Sequence, residues 1–285
     1  SYDHKPMAIL THYFTPDERT TWTTSLYYTA GRDAQTNINW FDAKDPRPDY
    51  YRYLPSYYRF EDSELYPGRV SAWQNDVNTR QIDWDQLYFA NGKNLYQVEN
   101  ANGVAGNTIV GNRSKYIVEE VRQDPTRFGL NSVWDKAISE QAHLTIGGSV
   151  HAQRTHYFRV IDDLLGGDFW VDIDQFADRD FNDTLISQND LSTPNKVVKE
   201  GDVFGHDYNI HTRYANLFGQ WEKKWSRMEV YVGADISNTS FWREGNLRNG
   251  RFPENSFGES KKQDFIGYGL KAGAVMKITG RHFLT

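Results

Sequence analysis

The sequence contains no cysteine, no long apolar run and no cluster of basic residues. The absence of cysteine excludes disulfides, zinc–thiolate sites, cysteine nucleophiles and iron–sulfur clusters. No stretch approaches the ~18 consecutive apolar residues that suggest a membrane-spanning helix. Lysine and arginine are scattered and the net charge is −6 over 285 residues, so we expect no nucleic-acid partner.

Aromatic residues are abundant although the chain is polar. There are 9 Trp, 18 Tyr and 16 Phe, while hydrophobic residues make up 38% and the mean hydropathy is −0.75. Disordered segments are poor in aromatics, so this composition indicates a folded chain. It is also compatible with a membrane barrel, in which only alternate residues of each strand meet lipid.

Alternation of apolar and polar residues predicts about seven β-strands. In the clearest case Met228, Val230 and Val232 share one face, and Glu229 and Tyr231 lie on the other. The predicted strands are 5–14, 22–30, 127–138, 144–153, 214–222, 228–236 and 264–278.

Short and long connections alternate along the chain. Short turns are predicted near 15–19, 139–141 and 224–226, and long loops at 32–113, 161–208 and 244–262. This alternation is typical of an antiparallel transmembrane β-barrel with long extracellular loops. Bacterial barrels have an even number of strands, so about seven strands predict part of a barrel. For the aromatic residues near the strand ends, the alternative is the core of a soluble β-sandwich.

The first long loop is rich in tyrosine. Residues 42–58 hold five tyrosines, and the prolines at 46, 48 and 55 predict an extended path. Tyr50, Tyr51 and Tyr53 are candidate contacts for a sugar, peptide or chelate; the alternative is packing against a neighbouring domain. Residues 83–97 have the apolar spacing of a short helix.

The second long loop is acidic. Between residues 162 and 183, Asp172, Asp174, Asp178 and Asp180 form a candidate Ca²⁺ site, because hard cations prefer carboxylate oxygens. The spacing lacks the glycine and glutamate of an EF-hand. A solvated acidic loop is the alternative.

The third long loop combines arginine with aromatic residues. Together with Trp170 of the second loop, Trp242, Arg243 and Arg251 are candidate ligand contacts. Pairing of these arginines with the acidic loop is the alternative. The sequence shows no catalytic motif, so we expect no enzyme, no catalytic residue and no cofactor other than calcium.

Three long strings resemble TonB-dependent outer-membrane receptors of the Bacteroidetes kind. They are DPRPDYYRYLPSY at 45–57, DDLLGGDFWVDIDQF at 162–176, and FWREG at 241–245 with RNGRFPENS at 248–256. The resemblance extends over nearly the whole chain.

The resemblance implies a barrel of about 22 strands with a plug domain inside it. It also implies a bacterial outer-membrane location, contact with lipid, and uptake of a large nutrient energised by TonB through the plug. The chain would supply about seven of those strands, at 1–285, without the plug. A surface lipoprotein is a further implied partner. Two other functions stay open: a scaffold barrel of a surface complex, and a soluble glycan-binding β-domain.

Overall fold

The computed structural model describes residues 1–181, 183–279 and 281–285. They form an all-β, antiparallel fold with short helices in the long connections, which confirms the predicted class. The strands are β1 (Tyr2–His4), β2 (Met7–Asp17), β3 (Thr20–Ala30), β4 (Arg32–Trp40), β5 (Leu95–Glu99), β6 (Thr108–Asn112), β7 (Tyr116–Ser139), β8 (Ala142–Asp163), β9 (Trp170–Val171), β10 (Val197–Val198), β11 (Val203–Lys224), β12 (Met228–Gly245), β13 (Gly258–Glu259), β14 (Gln263–Lys277) and β15 (Phe283–Leu284). The α-helices are α1 (Pro55–Glu61), α2 (Tyr66–Asn75), α3 (Trp84–Gly92) and α4 (Gln175–Asp180).

The main sheet contains the seven predicted strands. β3 and β4 follow one another along the same edge of β7, and both pair with it. On their other side, β2 pairs with β3 and β1 pairs with β4. The order then runs through β8, β11, β12 and β14, with the short β13 and β15 attached. The sheet is open: among the described residues, β2 pairs with β3 alone and β14 has only two paired residues on its outer side.

The first two strand positions of the sheet are each broken into two strands at the same height. β1 and β2 are separated at Lys5 and Pro6, and β3 and β4 are separated at Gly31. Pro6 has no backbone N–H to donate, and it separates β1 from β2. A Cβ on Gly31, between β3 and β4, would lie 2.2 Å from the carbonyl oxygen of His4. Gly31 N instead donates to the carbonyl oxygen of Pro125 at 3.0 Å. A glycine is therefore needed where the chains approach this closely.

The central strands are longer than the sequence predicted. β7 has 24 residues and β8 and β11 have 22 each, so the predicted loop bounds 32–113, 161–208 and 244–262 are wrong at their edges. Residues 32–40 form β4, and the connections run over 41–115, 164–202 and 246–262. The extensions carry charge on both faces, as in Glu119–Asp124, which hides the alternation on which the prediction depended.

The long connections all leave the same end of the sheet, opposite the short turns at 18–19, 140–141 and 225–227. The helix predicted at 83–97 is confirmed over Trp84–Gly92 as α3, but its predicted end is wrong, because residues 95–97 belong to β5. The N-terminus of α3 is capped by Asp83, which accepts from Gln86 N at 3.0 Å. The extended path predicted for 42–58 is wrong from residue 48 onward, where turns lie within 48–53 and a helix follows. Pro55 begins α1, where its missing N–H needs no partner. No helix of the described residues is both long and apolar enough to cross a membrane.

The hydrophobic core lies among these connections and the strand ends beneath them. Its largest cluster consists of Ile117, Ile161, Leu164, Trp170, Val198 and Phe204. Asn91 of α3 is fully buried beside it. Its Nδ2 donates to the carbonyl oxygens of Tyr116 and Leu164 at 2.8 and 2.9 Å, and its Oδ1 accepts from Lys115 N at 2.8 Å. The Asn91 side chain therefore hydrogen-bonds α3 to β7 and to the connection 164–202.

The halves of the strands nearest the short turns have two contrasting faces. The face that we call the apolar face has no charged residue on six strands, at alternate positions of 22–30, 126–134, 144–152, 215–221, 228–242 and 266–276. Large apolar side chains on it are open to solvent, among them Leu217 (59% exposed), Ile236 (54%) and Leu270 (83%). The edge strand β2 departs from this pattern with His12.

The opposite face of the same segments is polar. It carries Arg127, Asp135, His151, Glu222, Asp235 and Lys271. Aromatic rings on this face lie over glycines of the neighbouring strand, as Phe218 does over Gly147 and Tyr231 over Gly273.

Candidate ligand-binding site

A cavity of about 900 Å³ at the loop end brings the tyrosine-rich loop against the acidic loop. We call it the tyrosine cavity. The first loop contributes Trp40, Phe41, Asp42, Ala43, Lys44, Asp45, Tyr50, Arg52 and Tyr53, and α4 contributes Gln175, Phe176, Asp178 and Arg179. Such a concave surface, with aromatic rings and a few polar groups, suits a solute of several sugar or amino-acid units.

The tyrosines are held by a turn of the backbone. Tyr50 N donates to the carbonyl oxygen of Arg47 at 3.1 Å, and Tyr53 N donates to that of Tyr50 at 2.8 Å. The rings of Tyr50 and Tyr53 meet edge to face with centroids 5.2 Å apart. Tyr51 stacks edge-on against Tyr50 but does not line the cavity. Of the three predicted tyrosines, the structure therefore places Tyr50 and Tyr53 at the cavity.

Charges of both signs line the tyrosine cavity. Burial alone would raise the pKa of Asp45, but hydrogen bonds from Arg47 hold that pKa below its usual value. Burial raises the pKa of Tyr53, so its phenol stays neutral and keeps its proton for hydrogen bonding. Lys44, Arg52 and Arg179 supply cationic donors. The cavity can thus bind a solute through ring stacking and hydrogen bonds to groups of either polarity.

A second, polar cavity of about 460 Å³ shares Phe41, Gln175 and Phe176 with the first. Glu119 and Arg159 lie in its wall with Nη1 and Oε2 3.5 Å apart. His206 faces the same space, and its burial, reinforced by the charge of Arg159, lowers its pKa to about 4. The imidazole is therefore neutral at pH 7 and can accept or donate a hydrogen bond.

Asp172 is the most deeply buried carboxylate of the acidic loop. Its Oδ1 accepts from Asn189 Nδ2 and from Gly205 N, each at 2.8 Å. Its Oδ2 has no hydrogen-bond partner within the described residues. Burial raises the pKa of this carboxyl, because the charged form loses its hydration.

The other three predicted calcium ligands make separate contacts. Asp174 caps α4 by accepting from Phe176 N at 2.9 Å, and Asp180 pairs with Arg179 at 2.7 Å. Asp178 lines the tyrosine cavity. In residues 1–181, 183–279 and 281–285, no group of three or more metal-binding side chains converges. Asn182, inside the predicted loop 162–183, lies outside the described residues, and the calcium site stays a prediction.

The arginines of the third loop hold loops together. Arg251 Nη1 lies 3.3 Å from Asp174 Oδ2, which confirms the predicted pairing with the acidic loop for Arg251. Arg248 N also donates to Asp190 Oδ1 at 3.4 Å. Arg243 donates to the carbonyl oxygens of Asn255 and Ser256, so its guanidinium is engaged by its own loop.

The two predicted tryptophans lie in different environments. Trp170 is 4% exposed and packs edge-on against Phe41 and Phe204, with centroids 6.3 and 6.5 Å away. Trp170 also lines the second cavity, so its predicted ligand contact stays a prediction. Trp242 lies on the apolar face of β12, stacked on His211 at 4.9 Å, away from the tyrosine cavity.

Sequence reasoning missed Trp40, Arg52, Gln175 and Phe176, all of which line the tyrosine cavity. Gln175 and Phe176 follow the helix cap Asp174, and an acidic residue before a short helical run was a usable signal. That α4 would lie against residues 40–53 has no local signal, because the contact joins distant parts of the chain. Comparison with protein-family models gives no match, and comparison with curated proteins gives none either.

Proposed function

We propose that this chain is part of the transmembrane β-barrel of a bacterial outer-membrane receptor. In this proposal the apolar face contacts lipid, the polar face lines the barrel interior, and the loop end faces outward and binds a large nutrient. The observation that carries the proposal is the contrast between the two faces. On six neighbouring strands this face carries no charge, and its large apolar side chains are open to solvent. Contact with lipid explains such a band more simply than a soluble fold does.

Strand geometry supports the same proposal. The segments 22–30, 126–134 and 144–152, which carry no charged residue on the apolar face, have the length of a tilted membrane crossing, which takes ~9–11 residues. Charged residues begin directly beyond them, with Lys136 toward the short turns and Asp124 toward the loops. Turns at one end and folded loops at the other match the asymmetry of outer-membrane barrels.

The open sheet gives the expected partners. Its outer strands β2 and β14 have backbone groups free to pair with further strands of a larger barrel. The resemblance to TonB-dependent receptors supports a plug domain as the occupant of the polar interior and TonB as the energising partner. A surface lipoprotein above the loops belongs to the same proposal.

Single introduced cysteines test the membrane contact, because the native chain has none. Leu217 on the apolar face and Gln220 on the polar face lie three residues, or about 10 Å, apart along β11. Leu217→Cys and Gln220→Cys, each labelled with a polarity-sensitive fluorophore, are reconstituted in lipid nanodiscs. We expect blue-shifted emission, quenched by spin-labelled acyl chains, at position 217 only. Equal emission and quenching at both positions would contradict lipid contact.

The tyrosine cavity is tested by ligand binding. Fluorophore-labelled linear oligosaccharides and short peptides are titrated onto the chain, and the tightest probe is carried forward. Tyr53→Ala is expected to weaken that probe about tenfold, because an aromatic ring that lines the cavity is removed. Tyr57→Ala is the matched control: it lies in the same loop and outside the cavity lining. Equal affinity of the two variants for the probe would mean that the probe does not bind in the tyrosine cavity.

Two further measurements separate the alternatives. A soluble glycan-binding domain would extract without detergent, and a scaffold barrel would bind no solute and would not mediate uptake of a labelled one.

A further inference from the structure

Two arginines mark the boundary where the apolar face meets the outer part of the strands. Arg154 follows the uncharged segment 144–152 of β8, and Arg213 precedes the segment 215–221 of β11. Register places Arg154 opposite His211 and Arg213 opposite Ala152, so the two arginines are diagonal neighbours on the apolar face. In the proposed orientation this is the level of the outer lipid headgroups.

Neither arginine is neutralised. Both side chains are exposed, and within residues 1–181, 183–279 and 281–285 neither has a carboxylate within 4.0 Å. This contrasts with Arg122, higher on the same face of β7, whose guanidinium lies between Glu120 and Asp124. A cation left unpaired beside an apolar band is available for an external anion.

The two arginines share a small cavity with Trp242. The cavity is about 220 Å³ and is lined by Arg154, Arg213, His211 and Trp242 among others. The Arg213 guanidinium lies 5.0 Å from the indole centroid of Trp242, and Lys262 Nζ lies 5.9 Å from it. Trp242 Nε1, a hydrogen-bond donor, has no partner in the described part of the chain.

We propose that this cavity binds the phosphate group of an anionic lipid, with Arg154 and Arg213 as the charged donors and Trp242 as the interfacial anchor. The guanidinium fork matches the geometry of phosphate oxygens, and an indole at headgroup level is typical of membrane interfaces. The acyl chains of the lipid lie along Phe128 and Ala152, which line the same cavity and belong to the apolar face. The inference rests on the proposed membrane contact.

The test measures lipid retention by the whole chain. The chain is purified in phosphatidylcholine-containing micelles, titrated with phosphatidic acid, and the bound lipid is counted by native mass spectrometry. The wild type is expected to retain phosphatidic acid in preference to phosphatidylcholine. The R154S/R213S double variant is expected to bind it about a hundredfold more weakly, since each arginine supplies a charge-assisted hydrogen bond.

Matched controls separate charge from site. R19S/R227S removes the same charge from the short turns at the opposite end and is expected to bind as the wild type does. R154K/R213K keeps the charge without the fork and is expected to fall between the two. Equal far-UV circular dichroism of all variants shows that they are folded. Unchanged binding by R154S/R213S, or equal loss in R19S/R227S, would overturn the site.

Two outcomes distinguish the source of the anion and the level of failure. Competition by inorganic phosphate at the lipid's own concentration would overturn a lipid ligand in favour of free phosphate. A chain that enters phosphatidylcholine micelles but shows no preference for phosphatidic acid would refute this site and leave the membrane contact standing. A chain that enters no micelle would refute both.

Discussion

Replacing Trp170 by alanine is expected to lower the free energy of unfolding by about 3–5 kcal/mol, the usual loss when a large buried aromatic is truncated. Trp170 is 4% exposed and belongs to the cluster that joins the loop connections to the strand ends. Truncation leaves a cavity between Phe41 and Phe204, which cannot close because both are anchored in other segments. The measurement is urea unfolding in detergent, followed by near-UV circular dichroism.

Trp84→Ala is the control for this prediction. Trp84 opens α3 in the same loop region, but it is 44% exposed. Its replacement is expected to change the free energy of unfolding by less than about 1 kcal/mol. If Trp170→Ala instead retained full stability and only lost solute binding, Trp170 would be a ligand contact, as the sequence first suggested.

The second large effect is expected from Val232→Arg. Val232 lies on the apolar face of β12, among the alternate uncharged positions of 228–242, paired with Trp221 and Ala272, and is 48% exposed. An arginine facing lipid near the bilayer midplane destabilises a barrel by about 2–4 kcal/mol. We therefore expect a lower yield of heat-resistant, membrane-inserted protein and a lower urea midpoint in lipid vesicles.

Gln220→Arg provides the matched control. Gln220 pairs with Gly233, next to Val232, but points to the polar face, and it already donates to Glu222 at 2.6 Å. An arginine there can pair with Glu222 and contact water, so insertion is expected to match the wild type. Equal insertion of the two arginine variants would mean that the apolar face does not meet lipid.

The halves of the strands nearest the short turns could be predicted from the sequence. There, apolar and polar side chains alternate strictly, as in 144–152, and this pattern allows only a strand with two different faces. The halves of the strands nearest the long connections could not be predicted. There, residues such as Glu120 and Arg122 are charged although they lie on the same side of the strand as the apolar face. Ion pairs between side chains two residues apart on β7 neutralise these charges, and no hydropathy pattern reports such pairs.

The sequence predicted which loops contribute to the candidate site, but not which of their residues lie together in a cavity. Tyrosines and prolines mark residues 45–53 as a binding loop, and the Arg251–Asp174 pair follows from opposite charges in two loops. Which aromatic residues line a cavity depends on how the connections fold over the sheet. Trp170 is buried in the core where β9 pairs with β10, whereas Tyr53 is half-buried in a backbone turn closed by its hydrogen bond to Tyr50.

The sequence by itself determined the class of fold, the positions of seven strands of the main sheet and the chemical character of their two faces. These properties follow from local side-chain order, since a period of two assigns each residue to a face without reference to distant contacts. Only the tertiary structure decided where the faces end, which loops meet and which arginines lack a carboxylate. Those properties depend on register and on contacts between remote segments, so Arg154 and Arg213 become neighbours only once β8 and β11 are paired.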